Sequence, residues 1–146
     1  MFKKILLASD GSEYALRAAR AAAELAKAMG SSVTLLHVFT MPALQMAVPG
    51  SPGVDVDPGA LSTYMEQVQD AVAKRTGRVL EEAGVPYTTL LEAGHPAEVI
   101  IRIAEDDNYD LIVMGSRGLS EIRSFLLGSV SDKVSHHAHC PVLIVK

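Results

Sequence analysis

The sequence predicts an α/β protein with an open parallel sheet and helices on both of its faces. Short apolar runs such as Ile5–Ala8 and Leu111–Met114 do not alternate with polar residues, which is typical of parallel strands that are buried on both sides. Longer segments with a helical period separate these runs, so strands and helices alternate along the chain. Right-handed crossovers then limit the topology to a few doubly wound arrangements.

Length and composition favour one globular domain over residues 1–146. The chain is 49% hydrophobic and 21% charged, which is ordinary for a soluble folded domain. No apolar run approaches the ~18 residues of a membrane span, and the run Ile5–Ala8 meets Asp10 too soon for a signal peptide. The single cysteine excludes an internal disulfide and fits a reducing cytoplasm. A net charge of −4 argues against nonspecific binding to nucleic acid or to an anionic membrane.

The first third of the chain predicts a strand, a helix and a second strand. The first strand ends at the turn Asp10–Glu13, which has N-cap residues. The helix then runs to about Met29 and stops at Gly30. The second strand is Val33–Phe39. The buried stripe of the helix is predicted to be Ala15, Ala18, Ala22, Leu25 and Met29.

An irregular segment, 41–59, follows the second strand. It holds four prolines and three glycines and has neither a helical nor a strand period. A loop of this length is uncommon within a compact domain, so we expect either a lid or partner-contact loop or a mobile insertion. The rest of the chain is predicted to continue as a helix from about Ala60 to Ala83, a strand Tyr87–Leu91, a helix beginning at Pro96, the strand Leu111–Met114, a helix from about Ser129 to His139 and a strand Val142–Val145.

Two turns that follow predicted strands carry residues suited to binding an anion. The fourth strand stops at Gly115, and Gly118, Gly128 and Ser129 follow it. Glycine lets the backbone approach a ligand closely, and a helix N-terminus presents free N–H groups to an anion. The pattern indicates a phosphate-binding loop, with two ordinary turns as the alternative. If strands one and four are neighbours, Asp10 and this loop face one pocket at the carboxyl edge of the sheet.

Over its whole length the sequence resembles the nucleotide-binding universal stress proteins. The resemblance is carried by Ile5–Glu13, Leu35–Val38, Gly94–Ala97 and Cys140–Val145, and most specifically by the pattern Gly-x2-Gly-x9-Gly-Ser over residues 115–129. It implies a five-stranded parallel sheet of order 3-2-1-4-5, a Rossmann-like fold of the adenine nucleotide α-hydrolase kind. Strands one and four are neighbours in that order. The resemblance also implies that the ligand is ATP.

The same resemblance implies a role for each residue of the pocket. Asp10 would accept hydrogen bonds from the ribose or the base, and Val38 would contact the adenine through its backbone. The Ser129 hydroxyl would bond directly to a phosphate. The phosphates would be held by main-chain N–H groups around Gly115, Arg117, Gly118, Ser129 and Val130. The complete set of binding residues implied in this way is Ala8, Ser9, Asp10, Val38, Met114, Gly115, Arg117, Gly118, Gly128, Ser129, Val130 and Ser131.

Several alternatives at this site stay open. Arg117 either pairs with a phosphate or lies in solvent, and Arg123 is a second, weaker candidate. Mg²⁺ or Mn²⁺ could accompany the phosphates. Near the C-terminus, His136, His139 and Cys140 share one face of the predicted helix, where they are either basic residues at a helix end or a metal site.

We interpret the chain as an ATP-binding sensor or regulator in a stress response, with an unknown protein client. No Walker-type lysine follows the glycines and no residue resembles a poised general base, so we expect at most weak ATPase activity. One alternative is a slow ATP hydrolase or an autophosphorylating protein that uses Asp10 or a loop serine. Another is a nucleotide-free interaction module that uses the segment 41–59.

The last predicted strand, Val142–Val145, would lie at an edge of the sheet. An uncovered apolar edge favours pairing with another chain. A homodimer that joins two such edges by a two-fold axis is the simplest cover for them.

Overall fold

A computed structural model of the chain describes residues 1–40, 58–118 and 127–146. In this part of the chain, five parallel strands form one sheet in the order β3-β2-β1-β4-β5. The predicted doubly wound architecture and its strand order 3-2-1-4-5 are therefore confirmed. The strands are β1 (Lys4–Ala8), β2 (Ser32–Phe39), β3 (Tyr87–Ala93), β4 (Leu111–Gly115) and β5 (Val142–Val145).

The helices lie close to their predicted positions. A π-helical turn, Ala73–Gly77, interrupts the long helix predicted over residues 60–83. Of the predicted loop 41–59, residues 41–57 lie outside the described part of the chain, and Pro58 and Gly59 begin a helix. The helices are α1 (Glu13–Met29), α2 (Pro58–Val72), α3 (Arg78–Glu82), α4 (Pro96–Asp106) and α5 (Ser129–His137).

β1 is the central strand, and its side chains hold the two faces of the core. Successive side chains of a strand point to opposite faces of the sheet. Ile5 and Leu7 pack in a cluster with the alanines of α1, whereas Leu6 packs in a second cluster with α4. All three side chains are fully buried. Burial on both faces explains why this part of the sequence is an unbroken apolar run.

Alanine side chains let α1 pack closely against the sheet. Ala18, Ala19 and Ala22 are fully buried on its inner face. The stripe predicted for this helix is confirmed at its alanines and wrong at Met29, which is 43% exposed. Residues 27–29 are all exposed, because the last turn of α1 extends past the apolar core.

The register of the strands brings the two predicted ligand-binding turns together. Ala8 at the end of β1 pairs with Leu36 of β2 on one side and with Met114 of β4 on the other. Because all three strands are parallel, the turns after β1 and β4 leave the same edge of the sheet side by side.

Among the helices of the described segments, none has both the length and the apolar character needed to cross a membrane.

Candidate functional site

All the residues that were predicted to bind a ligand line one cavity at the carboxyl edge of the sheet. The cavity has a volume of about 750 Å³, within the range of about 300–1,000 Å³ that is usual for small-molecule sites. It lies where β1 and β4 are neighbours, which is the place where open α/β sheets bind their ligands. The structure thus brings the predicted residues together.

Ser9 ties the turn after β1 to the rest of the protein. Its N–H donates to the Leu36 carbonyl at 2.9 Å, and its Oγ lies 2.7 Å from Thr76 Oγ1 in the π-helical turn. Ser9 Oγ also accepts the N–H of Gly11 at 3.1 Å. The Ser9 hydroxyl is therefore engaged inside the protein, and Ser9 shapes the cavity wall.

Asp10 contributes a carboxylate to the cavity and also orders the start of α1. Its Oδ1 accepts the N–H of Ser12 at 2.9 Å. The Ser12 Oγ in turn accepts the N–H of Ala15 at 3.2 Å, which makes Ser12 the N-cap of α1. These bonds confirm the N-cap turn and hold the Asp10 side chain in a defined position beside the sheet edge.

The loop after β4 is joined to the start of α5 through one carbonyl group. The Ser116 oxygen accepts the N–H of Gly128 at 2.8 Å and the Ser131 hydroxyl at 2.8 Å. The Ser116 N–H donates to the Val145 carbonyl at 2.8 Å. Residues 119–126, which include Arg123, lie outside the described segments. The two halves of the glycine pattern nevertheless meet directly.

The N-terminus of α5 opens into the cavity. Gly128 is its N-cap residue and makes no side-chain cap hydrogen bond. The first hydrogen bond of the helix runs from the Asp132 N–H to the Gly128 carbonyl at 2.9 Å. The N–H groups of Ser129 and Val130 precede that bond and have no intrahelical partner. A helix start with partial positive charge is suited to an anion.

Ser131 differs from its neighbours on this helix because it is buried. Only 2% of its surface is exposed, and its hydroxyl lies 2.8 Å from the Ser116 oxygen and 3.0 Å from the Gly128 oxygen. Both acceptors belong to the protein, so this hydroxyl positions the loop. The exposed Ser129 stays the hydroxyl predicted to meet a phosphate.

The glycines of the pattern are required for reasons that the sequence did not predict. A Cβ on Gly115 would lie 2.7 Å from Tyr14 Cβ and 2.8 Å from the Tyr14 carbonyl carbon, so this glycine lets α1 pack against β4. A Cβ on Gly118 would lie 2.6 Å from Asp10 Oδ2. Gly118 therefore makes room for the Asp10 carboxylate that lies against it.

One wall of the cavity was missed by the sequence reasoning. It consists of one side of α2, which was predicted to be helical but not to line the binding site. Positions i, i+3, i+4, i+7 and i+8 lie on one side of a helix, and that spacing is the only signal the sequence offers. The lining residues of α2 are Tyr64, Gln67, Val68, Ala71 and Val72; those of β2 and α4 that were also missed are Leu36, His37, Phe39, Pro96 and Ile100.

The cavity has an apolar end and a polar end. Side chains of β2, α2 and α4, most of them apolar, form the apolar end, and the turns after β1 and β4 with the start of α5 form the polar end. Among the described lining residues, Arg117 is the one lysine or arginine and Asp10 the one carboxylate. Arg117 is half-buried. A ligand with a flat apolar part and an anionic part matches this division.

The cluster of histidines near the C-terminus is not arranged as a metal site. α5 ends at His137, and Ala138 has extended backbone, so the prediction that His136, His139 and Cys140 share a helix face was wrong. Within residues 1–40, 58–118 and 127–146, no three potential metal ligands lie together. Burial raises the pKa of the Cys140 thiol above its usual range, and the nearby Asp110 charge adds a smaller rise. A thiol with a raised pKa is a poor nucleophile.

Comparison with known proteins gives the family. The model of the universal stress protein family matches residues 1–146. The chain belongs to the universal stress protein family. One relative, the universal stress protein encoded in the QAH/OAS sulfhydrylase 3′ region of Thermus aquaticus, is 40% identical over 147 residues, and the match covers 100% of both chains.

Solved structures share the fold of this chain. The structure of the hypothetical protein MJ0577 superposes with a TM-score of 0.78 and 29% identity, covering 100% of this chain and 96% of that one. A universal stress protein in complex with cAMP superposes with a TM-score of 0.74 over 99% of this chain and 97% of its own. At 22% identity, the latter likeness is one of fold.

Gly115 and Gly118 should respond differently to alanine. We expect Gly115→Ala to lower the free energy of unfolding by about 1–3 kcal/mol, because its Cβ overlaps the backbone of α1. We expect Gly118→Ala to cost less, and Asp10→Ala to relieve that cost, because the clash is with one carboxylate. Urea unfolding of both single variants and of each combined with Asp10→Ala measures these effects.

The Gly115→Ala variant combined with Asp10→Ala is the control. Its two effects should add, because Gly115 contacts Tyr14 and not Asp10. The assignment would be contradicted if Asp10→Ala reduced the loss of stability in both alanine variants. It would also be contradicted if the Gly115→Ala protein were as stable as the wild type.

Proposed function

We propose that this universal stress protein binds an adenine nucleotide, with ATP as the ligand, and acts as a nucleotide-dependent regulator in a stress response. One observation carries the proposal. A single cavity brings together the Gly115–Gly118 loop, the N-terminus of α5, the Asp10 carboxylate and the apolar end of β2. Each of these features matches a different part of a nucleotide.

The polar end of the cavity suits the phosphates. The N–H groups of Ser129 and Val130 at the start of α5, together with the backbone of the Gly115–Gly118 loop, offer donors to phosphate oxygens. The Ser129 hydroxyl would add a direct bond. Arg117 lines the same end and would pair with a phosphate.

Asp10 suits the ribose better than the phosphates. Its carboxylate lies against Gly118 at the near side of the loop, and a carboxylate beside phosphates would repel them unless a cation intervened. Ribose hydroxyls can donate to it without that cost. If Mg²⁺ or Mn²⁺ accompanies the phosphates, Asp10 is the carboxylate of the described lining residues that would hold the metal.

The apolar end of the cavity suits the base. Val38 at the end of β2 and Ile100 of α4 line it, and the Val38 backbone would contact the adenine edge. Ala8 and Met114, at the ends of β1 and β4, form the floor between base and phosphates. A protein with the same fold has been solved in complex with cAMP, which supports a nucleotide as the ligand.

The proposed role is regulatory because the described lining residues do not include the lysine that accompanies the phosphates in fast nucleotide hydrolases. We place the protein in the cytoplasm, where its single cysteine would stay reduced. There, nucleotide occupancy would control its contact with a client protein.

Purified protein should release or bind adenine nucleotide. Heat-denatured protein is expected to release ATP, ADP or AMP into the supernatant, and emptied protein should bind added ATP.

Gly118→Val should weaken ATP binding at least tenfold, about 1.4 kcal/mol, because its side chain would fill the space between the loop and Asp10. Isothermal calorimetry measures the loss.

Ala28→Val is the matched control for this variant, since Ala28 is exposed at the end of α1. It should bind ATP as the wild type does. Protein that releases no nucleotide and binds no added ATP would remove the proposed function.

Hydrolysis should be slow. Single-turnover assays with labelled ATP are expected to give rates well below about 1 s⁻¹, the lower end of ordinary enzyme turnover. A faster rate that Asp10→Ala abolishes would make the protein an ATP hydrolase in place of a regulator.

The protein should form a homodimer through β5. Val142–Val145 is an edge strand whose side chains are only half-buried, so pairing with a second copy would cover it. Light scattering after size exclusion at micromolar concentration should give twice the 15.5 kDa of the chain. A strict monomer would contradict the dimer and leave the nucleotide site untouched.

A further inference from the structure

We propose that a cluster of three ring side chains, His37, Phe39 and Tyr64, binds the base of the nucleotide and that His37 selects adenine over a 6-oxopurine. The inference rests on the proposed function, because it names the residues that read the base in the same cavity. All three side chains line that cavity. We call them the ring cluster.

The ring cluster is ordered by its own contacts. His37 meets Phe39 edge to face, with ring centroids 5.2 Å apart and an interplanar angle of 79°. Phe39 and Tyr64 have centroids 6.1 Å apart and planes tilted by 37°. Phe39 is only 5% exposed, so it anchors the other two. The cluster thereby joins the end of β2 to α2.

Hydrogen bonding fixes the tautomer of His37. Its Nδ1 lies 2.8 Å from the Ser9 carbonyl oxygen. A carbonyl oxygen only accepts, so Nδ1 carries the hydrogen and donates it. In the neutral ring, Nε2 is then an acceptor. His37 lines the cavity, and we assign to its Nε2 the role of accepting a hydrogen bond from the ligand.

This acceptor distinguishes purines at position 6. Adenine carries an amino group there, which donates, whereas guanine carries an oxygen, which accepts. Hypoxanthine carries the same oxygen and lacks the 2-amino group of guanine, so inosine triphosphate differs from ATP only at the 6-substituent and at the adjacent N1, which carries a hydrogen in the 6-oxopurine. An amino group at this position would satisfy His37 Nε2. An oxygen would place two acceptors against each other, which leaves both unpaired in a part-buried site.

Tyr64 strengthens nucleotide binding without distinguishing one base from another. It lies on the stripe of α2 that walls the cavity, one helical turn before Val68. Stacking of a base on an aromatic ring is tolerant of base identity, because every base has a π-face. Removal of the Tyr64 ring should weaken every purine nucleotide alike, whereas a change at His37 should alter only the choice among them.

Two substitutions separate these roles. His37→Asn keeps an N–H in the place of Nδ1, able to donate to the Ser9 carbonyl, and removes the acceptor at Nε2. Tyr64→Ala removes the ring, and Tyr64→Phe retains it. Met65→Ala is the control on α2, because Met65 is half-buried and does not line the cavity. Thermal unfolding of each variant confirms that it is folded before binding is measured.

Calorimetric titrations with ATP and with inosine triphosphate test the assignment. The wild type should bind ATP at least tenfold more tightly than inosine triphosphate. His37→Asn should reduce that ratio to threefold or less, mainly through weaker ATP binding. Tyr64→Ala should weaken both nucleotides at least tenfold and leave the ratio unchanged, while Tyr64→Phe and Met65→Ala should behave as the wild type.

Failure of the ring cluster and failure of the proposed function give different results. Wild-type protein that binds neither nucleotide overturns both. If the wild type binds ATP, any one of three results overturns the base assignment alone: equal affinity for the two nucleotides, a His37→Asn protein that keeps the wild-type ratio, or a Tyr64→Ala protein with wild-type affinity.

Discussion

The candidate site depends on the Ser116 carbonyl group. This one oxygen accepts the Gly128 N–H and the Ser131 hydroxyl, each at 2.8 Å, and so joins the loop after β4 to the first turn of α5. The Ser116 N–H is held by the Val145 carbonyl of β5. Two separated parts of the glycine pattern become one concave surface because of these bonds. The N-terminus of α5 is thereby aimed at the cavity, where its free N–H groups are available to an anion.

The opposite side of the cavity is organised by the turn after β1. Ser9 and Asp10 use their side chains on protein partners, Thr76 and the Ser12 N–H, and still line the cavity. The parallel register of β1 with β4 then sets Asp10 against Gly118. Residues that are far apart in sequence thus meet because two strand ends share an edge of the sheet.

Local patterns in the sequence predicted the alternation of strands and helices and the two turns that line the cavity, whereas the strand order 3-2-1-4-5 was implied by the resemblance to universal stress proteins. Buried strands appear as unbroken apolar runs, and the glycine spacing marks the turns that leave them. The sequence could not show that residue 115 must be glycine because Tyr14 packs against it, since that contact depends on how closely α1 packs against β4. The wall formed by Tyr64 and Val68 was not predicted, because a helix that faces a cavity and one that faces the core carry the same apolar period.

The π-helical turn Ala73–Gly77 also escaped prediction, and it has a geometric consequence. In the helical segment formed by α2, the π-helical turn and α3, buried positions recur at every fourth residue, as in Val72, Thr76 and Leu80. In a regular α-helix each such step rotates the side chain by about 40° around the axis, so the row would wind away from the sheet. The wider π-helical turn holds one additional residue, so every fourth side chain again points to the same side of the helix. Val72, which lines the cavity, and Leu80, which packs in the core, can therefore lie on the same side of the helix.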